Sequence, residues 1–174
     1  IDRQCERILA LHIPVAADLR TLITAVKINT DLERIGDHCR NLCHNTEHLV
    51  DARDLLTATR IPQMSDTSRS MLRDAETAFL ERDRLKARKV IARDLQINRL
   101  HADTVDMLVG LCENGHEQAE AIAHLLTASK SLERISDHAK NIAQSVVFMI
   151  EGTDIRHGGL QEPHAPGGDN NERQ

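Results

Sequence analysis

Apolar residues recur at three- and four-residue steps along most of the chain, a spacing that predicts helices and no strands. Ile1, Cys5, Ile8, Leu9 and His12 share one face of an opening helix, which breaks at Pro14 because proline lacks the N–H a helix interior needs. A second helix is expected to start between Pro14 and Asp18 and to run to about Val50. Proline suits a first turn, and Asp18 favours the positive helix end. Residues 51–63 read as a connection closed by Ile61-Pro62. Ser65 is then expected to cap a third helix, with Met71, Leu72, Ala75, Ala78 and Phe79 inward and its end near Glu81. Asp83 is expected to cap a fourth that turns Ala87, Val90, Ile91, Leu95, Ile97, Val105, Leu108 and Leu111 inward. Asn114-Gly115 should stop it, since glycine tolerates the left-handed turn at a helix end. A fifth helix spans about Glu117 to Ile150 and closes at Gly152. The Gly-rich, polar tail beyond it has too little apolar content to offset ordering entropy and is expected to be disordered.

The chain writes one segment twice. Leu32-Glu-Arg-Ile-Gly-Asp-His-Cys-Arg-Asn41 returns one hundred places later as Leu132-Glu-Arg-Ile-Ser-Asp-His-Ala-Lys-Asn141. Around the second copy, Ala128, Leu132, Ile135, Ala139, Ile142, Val146 and Met149 form a seven-residue seam of the kind that packs left-handed bundles. Ile28, Leu32, Ile35, Cys39, Leu42 and Leu49 repeat it in the first. Cys39 and Cys43 stand where Ala139 and Ala143 do, so both read as small buried fillers rather than metal ligands. The opening helix then corresponds to the fourth and the second to the fifth. The third has no partner in the first half, so the expectation is an all-α pair of three-helix repeats in which the first lacks its leading helix. The boundaries expected are 1–56 for that incomplete repeat, 57–152 for the complete one and 153–174 for the tail. An N-terminal truncation fits the abrupt start at Ile1.

Composition narrows the function classes. With Phe79 and Phe148 as the only aromatic residues of the Phe, Tyr and Trp class and a net charge of -5, the chain is a poor match for nucleic acid. No apolar run approaches a membrane span, and the four cysteines form no CxxC pair or disulfide framework, which points to the cytoplasm. No nucleophilic triad or phosphate-cradling glycine loop is written in the sequence.

The chemistry on offer is a carboxylate stripe. Glu33, Asp37 and Asn41 stand at four-residue steps, away from the seam, with neighbouring carboxylates leaving the axis about 6 Å apart. Leu19, Leu22, Ile23 and Val26 precede them on the same stripe, as Ile122, Ala123 and Leu126 precede Glu133, Asp137 and Asn141. The polar stripe is therefore expected to continue a buried line. Such hard oxygen ligands suit Mg, Mn, Fe or Zn once a second helix adds more, and Asp94 on the facing helix could do so. The competing reading makes them surface carboxylates paired with Arg34, Arg40 or Lys27, each pair worth roughly 0–1 kcal/mol. His38 and His138 adjoin the aspartates as supporting or packing groups. His44 and His48 have metal-clip spacing but read as exposed, since Gln144 replaces His44 in the other copy.

Pro14-Val-Ala-Ala-Asp-Leu-Arg20, the two copies of Leu-Glu-Arg-Ile-x-Asp-His, and Val146-Val-Phe-Met-Ile-Glu-Gly152 together resemble the PhoU family of phosphate-specific transport regulators. That resemblance covers about residues 1–157 and implies two homologous three-helix bundles. It implies a non-enzymatic cytoplasmic protein that represses phosphate-starvation signalling, as an adaptor between a sensor histidine kinase and the ATPase subunit of the phosphate ABC transporter. It also implies a homodimer that contacts the membrane only through its partners. By motif match, divalent or iron-type metal ions would sit at Glu33 and Asp37 and at Glu133 and Asp137, with Asp94 contributing. Asn41, Asn141 and Asn98 are the neighbours, Asn98 standing where many relatives carry Asp. The alternative is a metal-dependent hydrolase or oxidase using the same stripe.

Overall fold

The computed structural model describes residues 1–113, 118–153 and 155. Among them lie six helices and no strand: α1 Asp2–His12, α2 Ala16–Glu47, α3 Arg53–Ala58, α4 Ile61–Glu81, α5 Arg84–Glu113 and α6 Ala119–Glu151. Asn114-Gly115 and nearly all of the tail, where a stop and disorder are expected, fall outside the described residues.

Local chemistry explains most of the boundaries. Ile13 and Ala16 take positive φ on either side of Pro14, turning the chain between α1 and α2. Asp83 Oδ1 accepts from the N–H groups of Leu85 and Lys86 at 2.9 and 3.0 Å, so it caps α5 as expected. Gly152, at φ 75°, closes α6 with its N–H on the Phe148 carbonyl. The connection at 51–63 is the correction. A short 3-10 turn (Val50–Ala52) and α3 occupy it, and α4 already begins at Ile61. Pro62 sits in the first turn of α4, where a missing N–H is harmless. Ser65 lies inside that helix, and it is the Thr59 hydroxyl that accepts the Ile61 N–H at 3.2 Å.

Helix α6 is the centre of the molecule. It packs on α4 and α5, which also pack on each other, and its opposite side carries α2. All seven seam residues of α6 are buried, alongside Met64, Met71, Val90, Ile97 and Leu108 from α4 and α5. Contacts between α2 and α6 pair Arg20 with Met149, Thr24 with Ser145, Asp31 with His138 and Asn45 with His124. Partner numbers fall as residue numbers rise, so the two helices are antiparallel and cross within the two motif copies.

The first repeat packs less than its pattern predicts. Ile28, Ile35 and Leu49 are buried, but Leu32 is 47% exposed, Cys39 and Cys43 face solvent, and Leu42 is half-buried. Leu19 and Ile23 are exposed as well, while Leu22 and Val26 are half-buried, so no buried line leads into the first polar stripe. Within α1 only Cys5 is buried; Ile1, Ile8, Leu9 and His12 are open. The physical reason is that α2 has one extensive neighbour, α6, and α1 touches it only slightly. A seam pattern marks faces able to pack, and here one side of α2 meets no described residue. In α5, Leu95 is also exposed rather than inward, and in α6 Ala123 faces solvent.

Candidate functional site

Because α2 and α6 cross within the repeated segment, the two copies meet. The rings of His38 and His138 stack at 5.6 Å, and His138 Nδ1 donates to Asp31 Oδ1 at 2.8 Å. Each histidine follows its motif aspartate on the adjoining face, which is how two outward-looking stripes can share an inward contact. The bond to Asp31 is not legible from the repeat, since its counterpart is Ser131. Ser136, at the position of Gly36, is fully buried and lies 2.7 Å from the Ser68 hydroxyl of α4.

The carboxylate stripes have different surroundings. On the first, Glu33 and Asn41 are exposed, and Asp37 forms a 3.1 Å ion pair with Arg40 of its own helix. Lys27, a potential partner for those carboxylates, instead lies over the Phe148 ring at 5.2 Å. On the second, Glu133 is 15% exposed, Asp137 is part-buried, and Asp94 reaches across from α5. The Lys140 ammonium bridges Asp94 at 2.8 Å and Asp137 at 3.1 Å, and Arg134 lies 3.5 Å from the other Asp137 oxygen. Asn98 Nδ2 donates to Asp94 at 3.4 Å, and half-buried Asn141 lies one turn past Asp137. Glu133 Oε2 sits 2.6 Å from Lys130, but the approach is off the hydrogen-bond direction. That buried oxygen has an ion partner and no hydrogen bond; buried Asp94 Oδ1 also lacks one.

These donors bear on whether a metal could be held. Around the second motif, Asp94 and Asp137 meet through one ammonium and Glu133 stands one turn back on α6, but among the described residues the oxygens of these three do not gather within 4.8 Å of one another. Asp94 Oδ1 is the oxygen a hard cation would satisfy, while Glu133 Oε2 already faces Lys130. Lys140 is the rival already in place. Burial disfavours its ammonium, but Asp94 and Asp137 outweigh that and hold its pKa above the ordinary value. Around the first motif the donors are open and lie on one helix, an arrangement that does not enclose an ion.

Two imidazoles near these motifs are held below their ordinary pKa of 6.5. Burial is the main cause for His38, helped by His138 and Arg134 and opposed by Asp37. Burial also leads for His101, whose Nδ1 lies 2.8 Å from the Ser129 hydroxyl; Glu133 opposes the shift and Lys130 adds to it. The unfolded chain therefore takes up these protons first, and stability falls as pH drops below about 6.5 until both rings are charged in the folded state. Thermal melts from neutral to mildly acid pH should show the loss. A His38→Gln/His101→Gln double variant should melt with a flatter pH dependence, and an unchanged slope would assign the effect elsewhere.

A family model described as the PhoU domain matches residues 1–46 and 61–146. The chain belongs to the PhoU family. Its relatives include a phosphate-specific transport system accessory protein PhoU homologue from Pseudomonas putida, 35% identical over 162 residues. That match covers 92% of this chain and 63% of the relative. Another PhoU homologue, from Burkholderia sp, is 32% identical, and the match covers 90% of this chain and 68% of the relative. The chain thus spans about two thirds of such relatives' length. Among solved structures, PhoU from Pseudomonas aeruginosa superposes with a TM-score of 0.80 at 30% identity, covering 87% of this chain and 73% of that one. The PhoU phosphate transport system regulatory protein from Streptococcus pneumoniae gives 0.78 at 28% identity, covering 88% and 72%. The all-helical PhoU architecture that the resemblance implies is therefore the architecture of this chain. No helix among the described residues is long and apolar enough to cross a membrane.

Proposed function

We propose that this chain is an accessory regulator of phosphate uptake that works by protein contact rather than by catalysis. The supporting observation is the similarity to phosphate-specific transport accessory proteins, which runs through both copies of the motif. In this reading it acts in the cytoplasm as a negative regulator of phosphate-starvation signalling. It links a sensor histidine kinase to the ATPase subunit of the phosphate ABC transporter, and works as a homodimer of two-repeat subunits. Divalent or iron-type ions occupy the second motif, where Glu133, Asp137 and Asp94 would hold them once Lys140 gives way. The first motif, at Glu33 and Asp37, holds an ion more weakly. A bound cation at the second motif would supply charge neutralisation and cross-bracing of α5 to α6.

Immobilised chain should retain the kinase, the transporter ATPase or both from purified mixtures, and failure with both would sink the adaptor reading. The two buried carboxylate oxygens without hydrogen bonds keep one rival reading, a metal-dependent hydrolase or oxidase, worth an assay. Metal-dependent phosphatase turnover that disappears in Glu133→Gln would favour it.

A further inference from the structure

We infer that His48, His124 and Glu120 form a second, nitrogen-rich cation site where the end of α2 meets the start of α6, suited to a zinc-, nickel- or copper-class divalent ion. It goes beyond the regulatory reading and uses none of the repeated carboxylates. The ligand atoms of these three residues all lie within 4.8 Å of one another. His48 and His124 stack face to face, with ring centres 4.3 Å apart and planes within 5°.

The hydrogen bonds around His124 fix which of its nitrogens is available. Asn45 Nδ2 donates to the Asn41 carbonyl at 2.7 Å, so the amide oxygen of Asn45 is the atom turned towards His124. That oxygen lies 2.9 Å from His124 Nδ1 and can only accept, so Nδ1 carries the proton. In the neutral ring this leaves the lone pair on Nε2, which lies 4.0 Å from Glu120 Oε1. An amide oxygen that holds the far ring nitrogen and sets the tautomer is the support that metal-ligating histidines characteristically have.

A tetrahedral zinc ion bound at about 2.0–2.1 Å needs its ligand atoms roughly 3.3 Å apart, so this cluster must tighten by up to about 1.5 Å, and the His48 ring must turn out of its stack so that its in-plane lone pair aims at the ion. His48 and Glu120 are exposed, so their side chains have room to turn, while half-buried His124 is the anchor. Two imidazoles and one carboxylate favour zinc, nickel or copper over magnesium or calcium. His124 lies nine residues from Glu133, about 14 Å along α6, so the site is distinct from the carboxylate motif. A cation here would staple the last turn of α2 to the first turns of α6, joining the two repeats.

Zinc titration of the whole chain, by competition with a chromogenic chelator, tests the site. His48→Ala and His124→Ala should each weaken zinc binding by at least about tenfold, because even losing a supporting partner costs about 10–100-fold. A Glu133→Gln/Asp137→Asn variant removes any zinc held by the carboxylate motif and should keep the zinc whose binding depends on His48 and His124, with its nitrogen coupling intact. Electron paramagnetic resonance of the copper-loaded chain should show coupling to ring nitrogens that His48→Ala reduces. If His124→Ala loses helicity, His48→Ala carries the test, since its ring is exposed. Zinc affinity and nitrogen coupling both unchanged in His48→Ala would overturn the proposal.

Discussion

Replacing Leu132 by Ala is expected to remove about 2–5 kcal/mol of stability, while Leu32→Ala removes less than about 1 kcal/mol. The two leucines open the two copies of one motif and are chemically identical in sequence. Leu132 is 3% exposed inside the α4–α5–α6 core, so truncation leaves a cavity that close-packed neighbours fill only in part. Leu32 is 47% exposed on the side of α2 turned from α6, where shortening it opens no void. Denaturant unfolding of both variants beside the parent measures the contrast directly. Equal losses would mean that Leu32 is covered in solution, for instance by a second copy, and would favour the homodimer.

The same pair shows how far the sequence can be read. Helical spacing locates five long helices, and the sevenfold seam picks out every buried seam position of α6, because a central helix is covered on several sides. For α2 the seam names the faces able to pack but not whether a neighbour arrives; Leu32, Cys39, Leu19 and Ile23 are the result. The polar stripes carry a similar ambiguity. Glu33 and Glu133 are the same letter at the same register, yet one faces solvent and the other is enclosed by α5. Asp94 is legible because it lies on the facing helix of the complete repeat. Lys140 is harder to see, although the basic residue kept at positions 40 and 140 is a signal that both aspartates have a local cation. Glu120 and His124 lie outside the ten-residue repeated segment, and only the antiparallel crossing brings them to His48.

Lys140 carries the second large expectation. Lys140→Ala should cost about 1–3 kcal/mol in metal-free buffer, since it leaves Asp94 and Asp137 facing each other without their shared ammonium. In the parent chain that pairing persists across neutral pH. Because Lys140 is held above its ordinary 10.5, the contribution is complete below that value and fades only as pH rises through the higher folded-state pKa. Removing the ammonium should also make the chain responsive to hard divalent ions. Three carboxylates from two helices, with Glu133 Oε2 and Asp94 Oδ1 still lacking hydrogen bonds, would have no internal cation bridging Asp94 and Asp137. Manganese at about a hundred times its dissociation constant would restore about 2.7 kcal/mol by mass action. Melting curves of the parent and Lys140→Ala, each with chelator and with manganese, separate the two possibilities. A large manganese shift in the variant and a small one in the parent would show that Lys140 and a metal ion compete for one place. No shift in either would mean that Asp94 and Asp137 serve with Lys140 as an ion-pair brace between α5 and α6, and would remove the metal from the proposed function.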